Sequence, residues 1–313
     1  MSHAGLAYLF PGQGAQAVGM GKAFYDRFEE SRELYKRANA HLDFDLTALC
    51  FEGPQEELTK TIRCQPALFV TSLAAFVAFR RVAPQMRIVG GAGLSLGELT
   101  ALAAAEAMTF RDALHVVQAR AEAMTDCAVR HPGTMLAVIG LSHEVIREIC
   151  QQAEVVAANF NAADQVVLSG AVPAIEEAER LAKVRGAKRA VKLDVSGAFH
   201  SPLMQEAADT LRKVLEKVSI VTPQFPVVSN VTGKPVESSE EIRELLPKQI
   251  VSPVLWDSSV RGMIASGATI FLEFPPARVL TALLRRIDSA VKGIAANEPA
   301  DFDALADFLN TSV

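Results

Sequence analysis

The chain has few of the residues that build disulfide frameworks or metal centres. Its 313 residues include only four cysteines, which are widely spaced and form no C-x-x-C pair. We therefore expect reduced, partly buried thiols, as in a cytosolic protein. The six histidines form no H-x-x-x-H or His/Cys cluster. A metal site is therefore not expected.

Signals for export, membrane insertion and nucleic-acid binding are also missing. The first five residues contain no basic segment, and no run reaches the roughly 18–20 uninterrupted apolar residues of a membrane helix. The net charge of −5 argues against a general nucleic-acid binder, which usually has a basic surface. Internal repeats and low-complexity linkers are absent as well. We expect a cytoplasmic protein with no nucleic-acid or membrane partner.

What is present is the composition of an ordinary globular protein, with 50% hydrophobic and 21% charged residues. The length suits one large domain, or one domain carrying an insertion. A buried strand is predicted at 6–10, followed by helices at 24–41, 65–82 and 110–129. The helix at 65–82 is apolar on nearly all sides and is predicted to lie in the interior. Alternating strands and helices favour an α/β fold with a mostly parallel sheet covered on both faces.

The middle of the chain changes character. Strands are predicted at 134–140, 155–158, 165–169 and 190–195, with helices at 144–150 and 173–185. This β-α-β-β-α-β order is the ferredoxin-like arrangement. We interpret residues 131–197 as a small subdomain inserted into a larger one that comprises 1–130 and 198–313. Beyond it we expect a helix at 202–218, strands at 226–229 and 268–273, and a helical remainder.

The pentapeptide Gly-Leu-Ser-Leu-Gly at 93–97 carries the strongest chemical signal. It stands between an apolar run that ends in glycines and a segment of strong helix formers. A nucleophile elbow requires this context, because a tight strand-to-helix turn exposes the serine at the N-terminus of the helix. Ser95 is therefore a candidate nucleophile, with the amide of Leu96 placed where an oxyanion could form. The alternative is a glycine-rich turn with an incidental serine.

A serine nucleophile needs a neighbouring base, and His200 is the best candidate. It lies in a loop directly after a predicted strand, where catalytic residues are commonly presented. The alternative is a loop histidine that caps a turn. His115 falls in the middle of a helix and is expected to be a packing or surface residue.

Five sequence motifs stand in a fixed order along the chain. They are FPGQGAQ at 10–16, GLSLGE at 93–98, QAR at 118–120 with Met124, FHSPLM at 199–204 and QIVSPVLW at 249–256. Together they resemble the malonyl-CoA:acyl-carrier-protein transacylases and the related acyltransferase domains of polyketide synthases. The resemblance extends from residue 6 to about residue 287. It implies an α/β-hydrolase-like core with a ferredoxin-like insertion, in agreement with the pattern described above.

The resemblance implies a role for each motif. Ser95 would attack the malonyl thioester, and His200 would act as the base. Gln249 would orient His200 through its main-chain carbonyl, and the amides of Gln13 and Leu96 would form the oxyanion hole. Malonyl-CoA is then a substrate and acyl carrier protein the partner, in fatty-acid synthesis, with no cofactor and a monomeric enzyme.

The resemblance further assigns the binding of the acyl group. Arg120 would hold the free malonyl carboxylate, because a guanidinium fork matches a carboxylate in geometry and charge. The alternative is a solvated arginine on a helix. Phe199 is the bulky neighbour typical of members that use unbranched malonyl units, with core packing as its alternative. Leu94, Met124 and Phe199 are the expected pocket residues.

Three positions depart from the commonest family pattern. Leu94 stands where most members have histidine, Ser252 replaces an asparagine, and Pro275-Pro276-Ala277-Arg278 replaces a Gly-Pro-Gly-Lys-like turn. None of them removes the nucleophile, the base or the arginine. Activity is therefore expected, although substrate preference could differ.

A run of six cations without an intervening acid lies near the end of the small subdomain. It could attract an acidic carrier protein or the phosphates of CoA, or it could be an ordinary solvated face. The six cations are Arg180, Lys183, Arg185, Lys188, Arg189 and Lys192.

Four hypotheses about the function remain open. They are a transacylase of fatty-acid synthesis, a trans-acting polyketide acyltransferase, an acyl hydrolase and a non-catalytic scaffold.

Overall fold

The computed structural model describes residues 5–82 and 87–311. Within these ranges the strands form two sheets. The strands are β1 (Gly5–Phe10), β2 (Ile88–Gly93), β3 (Gly133–Ile139), β4 (Val156–Ala162), β5 (Gln165–Ala171), β6 (Arg189–Lys192), β7 (Val227–Val228), β8 (Ala268–Glu273) and β9 (Lys292–Ala295).

Helices connect and cover these strands. They are α1 (Lys22–Arg27), α2 (Glu29–Asn39), α3 (Leu46–Glu52), α4 (Gln55–Thr59), α5 (Thr61–Val82), α6 (Leu96–Ala104), α7 (Phe110–Arg130), α8 (His143–Ala153), α9 (Val172–Val184), α10 (Gln205–Leu215), α11 (Ser239–Val251), α12 (Trp256–Ala265), α13 (Val279–Ile287) and α14 (Pro299–Thr311). A short 3₁₀ turn at Pro202–Met204 precedes α10.

The larger sheet has five parallel strands in the order β7-β2-β1-β8-β9. Successive side chains of β1 enter different cores. Tyr8 packs in the core that contains much of α5 and α7, whereas Ala7 and Leu9 pack in the core that contains α12 and α13. Helices therefore cover both faces, and the predicted parallel sheet is confirmed. Because all five strands run the same way, their carboxyl ends meet at one edge of the sheet.

The smaller sheet is antiparallel, in the order β4-β5-β3-β6. With α8 and α9 it has the ferredoxin-like chain order and strand order. All four strands fall within residues 131–197, and a bridge between Asn159 and Val254 connects β4 to the segment between α11 and α12. The division of the chain into two subdomains stays a prediction.

Helix α5 passes through the larger core. Its length and apolar composition would suffice to cross a bilayer, but 83% of its most apolar window is buried inside the protein. It begins at Thr61, four residues before the predicted start, and contains Pro66 in its first turns. The prediction of an interior helix is confirmed.

Two predictions about helices were wrong. The single helix expected at 24–41 is two helices, because Phe28 is extended (φ −116°, ψ 127°) and ends α1. The guanidinium of Arg32 donates to the carbonyls of Tyr25 and Asp26, which lack partners inside α1. The remainder after β8 is not all helical, because β9 pairs with β8 at the edge of the sheet. A strand of four residues has too short a pattern to be separated from its flanking helices.

Candidate active site

The turn between β2 and α6 has the geometry of a nucleophile elbow. Ser95 has φ 56° and ψ −104°, a conformation that is costly for a residue with a side chain. The two flanking glycines make room for it. A Cβ atom on Gly93 would lie 1.9 Å from the carbonyl carbon of Gly97, and one on Gly97 would lie 2.1 Å from the carbonyl oxygen of Phe10. The close packing of the two glycines keeps Ser95 in this strained conformation at the N-terminus of α6.

His200 lies directly beside this serine. Its Nε2 atom is 2.8 Å from Oγ of Ser95, and its Nδ1 atom is 2.7 Å from the main-chain carbonyl oxygen of Gln249. A carbonyl oxygen only accepts hydrogen bonds, so Nδ1 carries the proton of the neutral ring. Nε2 is then the acceptor for the Ser95 hydroxyl. This arrangement can remove the proton from the nucleophile.

The surroundings keep His200 neutral. Its ring is buried, and burial together with the nearby charge of Arg120 lowers its pKa to about 4. Hydrogen bonds to the backbone of Gln249 and Ser252 oppose this shift. At neutral pH the imidazole is therefore available as a base.

Arg120 is a buried cation next to the nucleophile. It projects from α7, is 1% exposed, and donates from Nη2 to Oγ of Ser95 (3.0 Å) and to Oε1 of Gln249 (3.0 Å). Its Nη1 donates to Oε1 of Gln65 on α5 over 2.7 Å, whereas its Nε finds no partner within the described residues. Burial lowers its pKa to about 10, against the opposing charge of Glu98, so the guanidinium stays charged at neutral pH.

The amides of Gln13 and Leu96 lie on the same side of the sheet as Ser95. Gln13 follows β1 in the loop at its carboxyl end, and Leu96 is the first residue of α6. A first-turn amide has no acceptor inside its helix and points towards the N-terminus, where the helix dipole favours negative charge. Both residues line the cavity that contains Ser95. The assignment of their amides to an oxyanion hole stays a prediction.

A second layer of polar groups lies beneath the elbow. Asn230, which follows β7, accepts from the amide of Ser95 (2.7 Å) and donates to the carbonyl of Gly93 (2.8 Å). Glu98 on α6 accepts from the amide of Asn230 and from Nε2 of Gln249. Burial raises the pKa of Glu98 to about 7, although these hydrogen bonds, one from Ser229 and the charge of Arg120 oppose the shift.

A cavity of about 590 Å³ opens over this site. The expected pocket residues all line it: Met124 and Phe199 are buried, and Leu94 is half-buried. The small sheet contributes another wall, which includes Asn159, Asn161 and Gln165. The site therefore lies where the two sheets meet.

Four site residues predicted from the sequence lie side by side in the fold: Ser95, His200, Gln249 and Arg120. The sequence did not predict their hydrogen-bond partners Gln65, Glu98 and Asn230. Asn230 lies two residues after β7 of the parallel sheet, and Gln65 is a polar residue on an apolar helix. Both signals were visible in the sequence, but their contacts with Arg120 and Ser95 depend on the packing of distant segments.

The run of six cations divides into two groups. Four pair with glutamates, so these charges are largely balanced at the surface. Lys188 and Arg189 make no ion pair with the described part of the chain. The four ion pairs are Arg180–Glu177, Lys183–Glu179, Arg185–Glu148 and Lys192–Glu176.

No group of three or more His, Cys, Asp or Glu side chains within residues 5–82 and 87–311 is placed to hold a metal ion. His115 is exposed on α7, as expected from its position in the helix, and contacts His41.

Comparison with known proteins identifies the family. Residues 7–298 match the acyl transferase domain. The chain belongs to the acyl transferase domain family. This acyltransferase is 39% identical over 301 residues to the malonyl CoA-acyl carrier protein transacylase of Bacillus subtilis, with 94% of each chain covered.

Two solved structures share the fold of this acyltransferase. An acyl carrier protein S-malonyltransferase from Vibrio cholerae has a TM-score of 0.91 at 38% identity, covering 96% of this chain and 99% of that one. A malonyl-transacylase in complex with its type II PKS acyl-carrier protein has a TM-score of 0.94 at 37% identity, covering 97% of this chain and 100% of that one. The α/β fold with an additional antiparallel sheet is therefore that of the family.

The departures from the family pattern lie around the site of this acyltransferase. Leu94 precedes the nucleophile and packs against the core that contains α12 and α13. The peptide bond between Pro275 and Pro276 is cis, and the carbonyl of Pro275 accepts a hydrogen bond from Ser72 over 2.6 Å. Ser252 follows α11 directly. With these departures present, Oγ of Ser95 still contacts both His200 and Arg120.

Proposed function

We propose that this acyltransferase moves a malonyl group from malonyl-CoA to the phosphopantetheine thiol of an acyl carrier protein, in the cytoplasm and as a monomer without a cofactor. The observation that carries the proposal is the buried guanidinium of Arg120, 3.0 Å from Oγ of Ser95. A charged acyl group would be bound there by its own carboxylate. The names of the relatives support malonyl as that group. We place the reaction in fatty-acid synthesis, with a trans-acting polyketide acyltransferase as the alternative.

In the first half-reaction Ser95 is acylated. Nε2 of His200 takes the hydroxyl proton while Oγ attacks the thioester carbon, and the carbonyl oxygen becomes an oxyanion near the amides of Gln13 and Leu96. The intermediate collapses by breaking the C–S bond. The protonated imidazole gives its proton to the leaving CoA sulfur, which leaves malonyl-Ser95.

The second half-reaction reverses these steps with a different thiol. Neutral His200 takes the proton of the phosphopantetheine thiol, and the sulfur attacks the ester carbon of malonyl-Ser95. Breaking the C–Oγ bond returns the proton to Ser95 and releases malonyl-S-carrier protein. A covalent relay suits one cavity that must serve two large thiol carriers in turn.

Arg120 gives the reaction its selectivity for malonyl over acetyl. In the free enzyme its Nη2 donates to Ser95 and Gln249, and its Nε has no acceptor in the part of the chain that the structure describes. A malonyl carboxylate can satisfy such a fork through two parallel hydrogen bonds. An acetyl group has no carboxylate to accept from Nε or to balance the buried positive charge, so it gains no such contact.

The partner would be recognised at the small sheet. Lys188 and Arg189 stand at the start of β6, and the residues that follow this strand, Leu193 and Val195, line the cavity. Unpaired cations at that place favour an acidic partner. The relative solved together with its acyl-carrier protein supports a carrier protein as that partner.

A transfer assay tests the function. Wild type is mixed with malonyl-CoA or acetyl-CoA and a holo carrier protein, and both proteins are weighed by mass spectrometry. We expect a malonyl adduct on the enzyme, its transfer to the carrier, and a clear preference for malonyl. Hydrolysis of malonyl-CoA without loading of the carrier would instead assign the chain to the acyl hydrolases.

A second experiment tests whether Lys188 and Arg189 recognise the carrier protein. Lys188→Glu with Arg189→Glu should raise the KM for the carrier protein while the rate of malonyl-Ser95 formation from malonyl-CoA stays the same. Lys217→Glu, at an exposed position after α10, provides the matched control. An unchanged KM in the double variant would place the carrier elsewhere.

A further inference from the structure

Glu98 is a buried carboxylate that the transfer mechanism does not use. It is 2% exposed and lies three residues after Ser95, in the first turn of α6. Ser-x-x-Glu at the start of a helix is the spacing of a capping box, in which the two side chains bond to each other's backbone amides. Here Ser95 makes no side-chain cap, because its hydroxyl contacts His200 and Arg120.

The cap has been replaced by contacts to other segments. The amide of Ser95 donates to Asn230 instead of to the glutamate. The freed Oε2 of Glu98 accepts from Nε2 of Gln249 over 2.6 Å and from the amide of Asn230 over 3.0 Å. Glu98 thus connects the elbow helix to α11, the helix that supplies the carbonyl for His200.

These contacts determine which way the Gln249 amide points. Among the described residues, the hydrogen-bond partners of its Nε2 are all acceptors, namely Glu98, the carbonyl of Ser95 at 3.0 Å and, more distantly, Asn230. Its Oε1 faces the Nη2 donor of Arg120 at 3.0 Å. Rotating the amide by half a turn would place its oxygen against a carboxylate and its NH₂ against a guanidinium. Only one orientation is compatible with both neighbours.

We propose that Glu98 is a positioning residue for the transfer reaction, which holds the Gln249 amide so that its oxygen keeps the Arg120 guanidinium beside Ser95. The inference rests on the proposed function, because the guanidinium is the group assigned to the malonyl carboxylate. Glu98 itself touches neither substrate nor nucleophile side chain. It acts through Gln249.

An amide between the two charges explains how the site stays open to substrate. A glutamate in direct contact with Arg120 would occupy the fork that the malonyl carboxylate needs. With Gln249 between them, the opposite charge of Glu98 still stabilises the buried cation. The guanidinium nevertheless keeps its Nε without a partner among the described residues.

Two variants separate the length of the Glu98 side chain from its charge. Glu98→Gln keeps an acceptor oxygen at the same distance but removes the charge, whereas Glu98→Asp keeps the charge but is one methylene too short to reach Gln249. For each, kcat and KM for acylation of Ser95 by malonyl-CoA and by acetyl-CoA are measured by mass spectrometry. Thermal melting establishes that the variants are folded.

We expect Glu98→Gln to keep the malonyl-over-acetyl ratio close to wild type and Glu98→Asp to lower it roughly tenfold, the size of one hydrogen bond to a charged group. The loss should appear as a higher KM for malonyl-CoA, with acetyl-CoA little affected. A purely structural role would lower kcat for both substrates together. An unchanged ratio in Glu98→Asp, or an equal loss in both variants, overturns the inference.

Gln249→Met provides a second test that does not depend on the folding of Glu98→Asp. It keeps the main-chain carbonyl that His200 contacts and removes the amide between Glu98 and Arg120. It should lower the ratio as Glu98→Asp does, and a wild-type ratio contradicts the inference. If wild type itself shows no preference for malonyl, the proposed function fails, which is a different result from a preference that Glu98→Asp leaves intact.

Discussion

Nη2 of Arg120 lies 3.0 Å from Oγ of Ser95, so a permanent cation and the nucleophile share one small volume. The two residues are 25 positions apart, on α7 and at the start of α6. The contact lets one acyl group bind by its carboxylate and react at its thioester at the same time. Burial lowers the pKa of His200, and the charge of Arg120 lowers it further, so the imidazole stays unprotonated.

Removing the guanidinium should remove the selectivity. Arg120→Ala is expected to lower kcat/KM for malonyl-CoA roughly a hundredfold, because a bidentate charged contact is lost, with a much smaller effect on acetyl-CoA. Arg120→Lys should recover only part of the loss, since an ammonium is a point charge without the planar fork. Competition between the two substrates measures the ratio. An unaltered preference for malonyl-CoA over acetyl-CoA in Arg120→Ala would contradict the binding of the malonyl carboxylate by Arg120.

The acyl-enzyme should depend on one serine. Ser95→Ala is expected to abolish the malonyl adduct in intact-mass measurements, because no other nucleophile contacts Nε2 of His200 in the described chain. Ser258→Ala, at an exposed position on α12, is the control and should acylate normally. An adduct that persists in Ser95→Ala would assign the nucleophile to another residue.

The pH dependence should reflect the buried histidine. With a pKa of about 4 for His200, kcat/KM for acylation should hold through pH 6 and decline only towards pH 4, instead of declining near 6.5. In Arg120→Ala this decline should shift to higher pH, because the neighbouring charge is one cause of the lowered pKa. His115→Ala is a control that should leave the profile unchanged. A decline near pH 6.5 in wild type would refute the assignment.

The same shift has a consequence for stability. Between about pH 4 and 6.5 the unfolded chain binds a proton at this histidine and the folded chain does not. The contribution of His200 to the free energy of unfolding should therefore fall as the pH decreases through this range, whereas Glu98, whose pKa is raised to about 7, contributes in the opposite direction. Comparing the stability of wild type with that of His200→Gln across the range isolates the contribution of the histidine.

The elbow should tolerate no side chain at its glycines. Gly97→Ala is expected to destabilise the fold by about 3 kcal/mol or more, because the added Cβ would meet the Phe10 carbonyl oxygen at 2.1 Å. Gly262→Ala provides the matched substitution on the exposed face of α12, where the nearest atom is 3.7 Å away. It should stabilise by about 0.5–1 kcal/mol, through helix propensity. Denaturant titration measures both, and equal effects would contradict this account of the elbow.

Local patterns in the sequence were enough for much of the fold. The apolar run before the serine pentapeptide, the apolar helix α5 and the six-element order of the small sheet all appear where their periodicity predicts them. The exceptions are places where local signals are weak. The extended residue Phe28 splits a helical pattern, and β9 exists as a strand only because β8 offers it a partner.

The sequence by itself determined which side chains were available for chemistry, because a glycine-flanked serine, a loop histidine and the family motifs around Arg120 and Gln249 can be recognised residue by residue. Tertiary structure decided how they act. The tautomer of His200, the burial that lowers its pKa, and the amide orientation that Glu98 imposes on Gln249 all come from segments far apart in the chain. Hydrogen-bond direction and desolvation depend on those neighbours, and no local pattern contains them.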